Sequence, residues 1–151
     1  MKKIFIIITG FSPLLIGYGL HLFITYSTNA KPGIALDLFC ILFFLYWGLM
    51  GFAFCKFTDS KLNTSILCNF PAFIVLLLIL VQELINKRYW TNLWGFITQI
   101  FYLPTLRISF AVKPNFLYYM WQSYIISFLL MMAASYIGCS IRAKIILNKN
   151  A

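Results

Sequence analysis

Polar residues are sparse along this chain, and four apolar stretches stand out between them, at roughly residues 4–26, 34–55, 67–85 and 117–141. A hydrocarbon core about 30 Å thick is crossed by about 20 apolar residues rising ~1.5 Å each. Each stretch approaches or exceeds that length. The predicted fold is therefore all-α, an integral membrane bundle of four transmembrane helices forming one domain over residues 1–151.

The segment before the last span has a different pattern. Set at the helical angle of about 100° per residue, residues 90–103 divide cleanly. Thr91, Asn92, Gly95, Thr98, Gln99 and Tyr102 share one arc; Trp90, Leu93, Trp94, Phe96, Ile97, Ile100, Phe101 and Leu103 share the other. Such segregation predicts an additional amphipathic interfacial helix, ended by Pro104 because the residue before a proline avoids the helical region. Its polar arc carries no Lys or Arg, unlike many surface-lying helices, so that arc can either face water or rest on the bundle instead.

The rival is a fifth crossing over 91–111, and charge separates the two. With four crossings and both termini cytoplasmic, Lys2, Lys3, Lys56, Lys61, Arg142, Lys144 and Lys149 lie inside, and Lys31, Lys87, Arg88, Arg107 and Lys113 outside. Five crossings level the count at six against six. The inward bias of positive charge favours four. Asn92, Gln99, Pro104 and Arg107 would also be costly in a crossing helix. Residues 27–33, with Lys31-Pro32-Gly33, then form an outer turn, 56–66 an inner loop, and 86–116 an outer segment. Tyr89, Trp90, Trp94, Tyr118, Tyr119 and Trp121 form an aromatic belt near that outer face. Met1-Lys2-Lys3 resembles the start of a signal peptide, but the apolar run behind it exceeds the usual h-region of about 7–15 residues. The first span is expected to stay uncleaved.

Composition agrees. Hydrophobic residues make up 62% of the chain and charged residues 10%, where soluble domains carry about 25% charged residues. The net charge of +9 falls between apolar spans with no basic, aromatic-interleaved patch, so nucleic acid is not an expected partner. Lys outnumbers Arg nine to three, a bias common in AT-rich bacterial genomes. The expected location is the cell membrane.

Three acidic residues and one histidine leave few candidates for chemistry. His21, Asp37 and Glu83 fall toward the outer side, below Lys87, Arg88 and Arg107. Intramembrane ionisable groups are often functional, and an imidazole with two carboxylates can bind a divalent metal or relay a proton. The plainer reading pairs Glu83 with Lys87 four residues on and places Asp37 in the first turn of its helix, where the dipole favours an anion. No His-x-x-x-His or Glu-x-x-His spacing supports a metal, and no cofactor is expected. Cys40, Cys55, Cys68 and Cys139 lack Cys-x-x-Cys spacing. Three of them lie toward the reducing inner face, where separate packed thiols are expected and a disulfide is not. Four-residue spacings of small residues, Gly51 with Cys55, Ser123 with Ser127 and Ala134 with Gly138, mark candidate helix contacts. Pro13 is expected to kink the first span.

No nucleophile motif, phosphate-binding glycine loop or paired intramembrane aspartates occur. The expectation is a small accessory, immunity or assembly protein, not an enzyme, which contacts lipid and works through a membrane-protein partner or copies of itself. The alternatives are a small transporter or channel subunit with an outer polar vestibule, and an interfacial lipid-modifying enzyme.

Overall fold

The structure is a computed structural model; it describes residues 2–26, 33–58, 60–86, 93–112 and 119–149. The described residues are helical almost throughout: α1 Lys2–Thr9, α2 Ser12–Tyr26, α3 Gly33–Phe54, α4 Lys61–Leu80, α5 Leu93–Val112 and α6 Met120–Lys149. A 3₁₀ turn, Cys55–Phe57, follows α3, and a π-helical turn, Val81–Asn86, extends α4. Taken together as α1 with α2, α3, α4 with its π turn, α5 and α6, the described residues hold five helical stretches long and apolar enough to cross a membrane.

The first span is broken where a kink was expected. The Gly10 N–H reaches Ile6 O at 3.0 Å and the Phe11 N–H reaches Ile8 O at 3.1 Å. A new helix then starts, with Pro13 in its first turn, where a missing N–H costs little. Ser60 caps α4, its Oγ accepting from the Asn63 N–H at 3.1 Å. That start extends the third span back from residue 67 to Lys61. The fourth span is shifted the other way: it starts at Met120 and its helix continues past residue 141 to Lys149.

Contacts fix the helix directions. Cys139 Sγ lies 3.7 Å from Thr64 Oγ1, Ser135 Oγ 2.9 Å from Asn69 Nδ2, and the Phe128 ring 5.9 Å from that of Phe73. The Trp121 backbone bonds the Glu83 carboxylate. Partners rise along α4 as they fall along α6, so these two helices are antiparallel over their full length. The end of the π turn and the start of α6 therefore stand at the same end of the bundle.

The helix between them departs most from expectation. It runs through Pro104 to Val112 instead of ending there. Gly95, Thr98, Tyr102, Thr105 and Ser109 are buried, and Leu93, Trp94 and Phe96 are exposed. The polar arc thus rests on the bundle, as its lack of charge allowed. The apolar arc is split, since Ile100 and Phe101 are buried too. The hydroxyls of Thr98, Thr105 and Ser109 bond the carbonyls of Gly95, Tyr102 and Thr105 at 2.8–2.9 Å. Pro104 supplies no N–H to Ile100 O. Gly17 of α2 packs on that same carbonyl, where any Cβ would collide with it.

Both ends of α5 lie at the end of the bundle where α2 finishes and α3 and α6 begin. The Phe96 ring meets His21 edge-on at 5.4 Å, near the end of α2. Arg107 pairs with Asp37, early in α3, and Ser109 Oγ lies 2.6 Å from Ser127 Oγ. The middle of α5 reaches deeper, with Tyr102 OH donating to Ala72 O at 2.7 Å.

Candidate functional site

His21, Asp37 and Glu83 do not converge. Asp37 is taken by Arg107, which donates through Nε to Oδ1 and through Nη2 to Oδ2, the latter at 3.0 Å. This exposed pair joins α3 to α5. His21 faces the Phe96 ring between α2 and α5. Glu83 sits apart in the π turn, where its carboxylate accepts from the Trp121 backbone in the first turn of α6, a location that favours an anion. The same first turn is closed by Gln122, whose Oε1 accepts from the Tyr119 N–H at 3.0 Å, one half of a capping box. Arg88 lies outside the described residues, as do Lys87, the outer turn at Lys31-Pro32, Asp59, Tyr89, Trp90, Tyr118 and the first residues of the 90–103 wheel. Among the described residues no three His, Cys, Asp or Glu side chains are grouped to hold a metal.

The small residues chosen as helix contacts are used within the chain. A Cβ at Gly51 would strike the backbone of Ser135, and one at Gly138 would strike Gly48 O. Ser127 bonds Ser109, and Ser123 is buried. Ala134 packs against the main core. Cys55 and Cys139 are joined by a disulfide, with Cα atoms 5.2 Å apart, whereas Cys40 and Cys68 are free and buried. The expectation of separate thiols fails for the first pair. Gly51 and Gly138 let α3 and α6 approach backbone to backbone, and that approach brings the two cysteines at the end of the crossing within bonding reach.

The polar centre of the bundle was not among the candidates. Asn69, 1% exposed, accepts from Trp47 Nε1 at 3.0 Å and donates through Nδ2 to Ser135 Oγ at 2.9 Å and Ser65 O at 2.8 Å. One amide thereby ties α3, α4 and α6. Trp47 stacks on Phe43 at 5.7 Å. Tyr102 and Tyr124 continue the core, their rings 5.6 Å apart. The signal was present in the chain, since Asn69 is an amide inside an apolar span, where polar groups face the bundle interior.

Among the described residues four buried side-chain oxygens lack partners: Ser65 Oγ, Gln82 Oε1, Glu83 Oε2 and Ser123 Oγ. Three of the apolar cavities that open on the bundle surface lie along α3. One of about 420 Å³ lies between α2 and α3, lined by Leu15, Gly19, Phe23 and Phe39 among others. One of about 390 Å³ lies beside it, bounded by Leu20, Cys40, Leu106 and Arg107. The largest, about 720 Å³, runs along α3 and α6. The chain matches no protein-family model, no curated protein and no solved structure.

Proposed function

We propose that this is a small four-crossing membrane protein of accessory, immunity or assembly type, acting through helix contacts with a membrane partner or with copies of itself. The observation that carries this reading is the Trp47–Asn69–Ser135 bridge. It fills the centre of the bundle, where a solute path would have to run, with side chains bonded to one another. The dispersal of His21, Asp37 and Glu83 onto separate partners points the same way. What favours the transporter alternative is the π turn beside the unpartnered oxygens of Gln82 and Glu83, since π turns recur at functional sites.

The antiparallel course of α4 and α6 supports four crossings, because α5 leaves and returns at one end of the bundle. Positive charge puts the opposite end, with both termini, in the cytoplasm. That end also holds Cys55 and Cys139. In this orientation the reducing cytoplasm opens their bond, so trapping thiols in intact cells reads two free sulfurs there. A persistent disulfide would reverse the orientation. A cytoplasm-only reporter fused after Ala151 is active in the orientation proposed and silent in the reverse.

The contact role is tested by photo-crosslinking residues placed at the exposed positions Leu15 and Leu77. A discrete protein adduct, with a partner or with a second copy, is expected from at least one of these faces in native membranes. Lipid adducts alone at both would overturn the reading.

A further inference from the structure

We infer that the groove between α3 and α6 holds one acyl chain of an anionic phospholipid, with its phosphate on Arg142. The groove owes its depth to the helix crossing. Gly48, Ala134 and Gly138 make a floor almost without side chains, and Leu45, Phe52 and Ile141 stand as walls. It runs along α3 from Ile41 to Phe52. Eleven residues at ~1.5 Å each give a length of roughly 16 Å. That is about half of the ~30 Å hydrocarbon thickness, the depth of one leaflet.

The charge sits at the end where a headgroup would lie. Counting about 20 residues from Met120 places the inner edge of the hydrocarbon near residue 140, so Arg142 falls at phosphate level. Its Nη1 donates to Phe52 O at 3.2 Å and its guanidinium lies 5.3 Å over the Phe52 ring, which fixes it beside the groove mouth. Its Nε is buried without a partner, and among the described residues it meets no carboxylate, since the ion pair found there joins Arg107 to Asp37. Lys56 and Lys144 belong to the same end of the bundle. A phosphate at the groove mouth accepts from the Nη hydrogens that Phe52 O does not take, and guanidinium–phosphate bonds are strong and directional. In the proposed orientation this is the cytoplasmic leaflet, where anionic lipids concentrate.

The test is native mass spectrometry of the purified full chain with dioleoyl phosphatidylglycerol or dioleoyl phosphatidylcholine, which share their chains and differ in charge. Wild type is expected to bind one phosphatidylglycerol about tenfold more tightly, equivalent to ~1.4 kcal/mol. Arg142→Gln should bring that preference to about unity, while Lys3→Gln, an exposed cation at the same end, leaves it within about twofold. Ala134→Leu, which fills the floor, should weaken both lipids alike. The inference is overturned by equal binding of the two lipids to wild type. It is equally overturned by a preference that survives Arg142→Gln, by an equal loss in Lys3→Gln, or by inorganic phosphate alone displacing the bound lipid. Adducts with a partner protein at Leu15 or Leu77 bear on the proposed contact role and leave this outcome untouched.

Discussion

Helix α3 is packed in two different ways along its length. In its second half it lies on α6, with Gly51 against the Ser135 backbone and Gly48 O against Gly138, the Cys55–Cys139 bond closing the seam. In its first half it stands off from α2, although only a short connection separates them. Apart from the Tyr46 OH–Ser12 Oγ bond of 2.9 Å, α2 and α3 scarcely touch. Two cavities occupy the space between them, and α5 is inserted there, with α2 as its main neighbour. Helices in lipid gain no hydrophobic drive toward one another, so close approach depends on where the backbone is bare. Glycine supplies that in the seam. Across the gap the Asp37–Arg107 pair and the body of α5 substitute for direct contact.

The strongest way to break this contrast is to load the seam. Gly138→Leu should cost more than about 3 kcal/mol, because the new Cβ meets Gly48 O and the Phe52 backbone and neither can yield. Gly19→Leu, in the gap, should leave unfolding within about 0.5 kcal/mol of wild type, since no atom lies within 4 Å of its Cβ position. Titrated unfolding in mixed detergent micelles reads both; equal midpoints would mean that the seam is no tighter than the gap.

Next in size is the helix inserted in the gap. Thr98→Lys should cost about 3 kcal/mol or more, placing an unpaired charge where the side chain is 1% exposed. Ile97→Lys, at a half-buried position, should be milder. This order inverts what a helix with a watered polar face would give, and protein accumulation in the membrane reads it directly.

Asn69→Leu should cost about 1–3 kcal/mol by stranding the Trp47 N–H and removing the donor to Ser135 Oγ, which keeps its own bond to Met132 O. Adding Ser135→Ala should recover part of that loss, and strictly additive effects would show that the amide does not bridge the helices. The smallest effect belongs to the gap's ion pair. Arg107→Gln should leave the unfolding midpoint close to that of wild type, since exposed pairs contribute little. Its signature is faster hydrogen exchange confined to α5 and the first turns of α3.

The spans were legible because each is a long apolar run bounded by charge or proline, and hydropathy needs nothing more. The character of α5 was legible in part. Its wheel showed two faces, and the absence of charge on the polar face allowed that face to turn inward without deciding it. Its end was not legible, because Pro104 stops an isolated helix, whereas here Gly17 covers the orphaned Ile100 carbonyl from another helix. Asn69 was readable as a lone amide in an apolar span. Separate roles for His21, Asp37 and Glu83 were the plainer reading, but their partners Phe96, Arg107 and Trp121 were not legible, because sharing a depth says nothing about where each residue lies around the bundle. The Cys55–Cys139 bond followed from a glycine crossing that no local pattern announces.

The hydroxyl stripe and proline of α5 also bear on how the protein is made. Of the five stretches among the described residues able to cross a membrane, α5 has the lowest mean hydropathy, and Arg107, costly at the centre of a crossing helix, is part of that weakness. Such a segment can be passed through to the far side during synthesis while its neighbours are retained. It would then settle onto the bundle only when Gly17, Ala72 and Ser127 are all in place to receive it. The same weakness that makes it a poor anchor would make it the last piece to dock, and its docking would report that α2, α4 and α6 have already assembled.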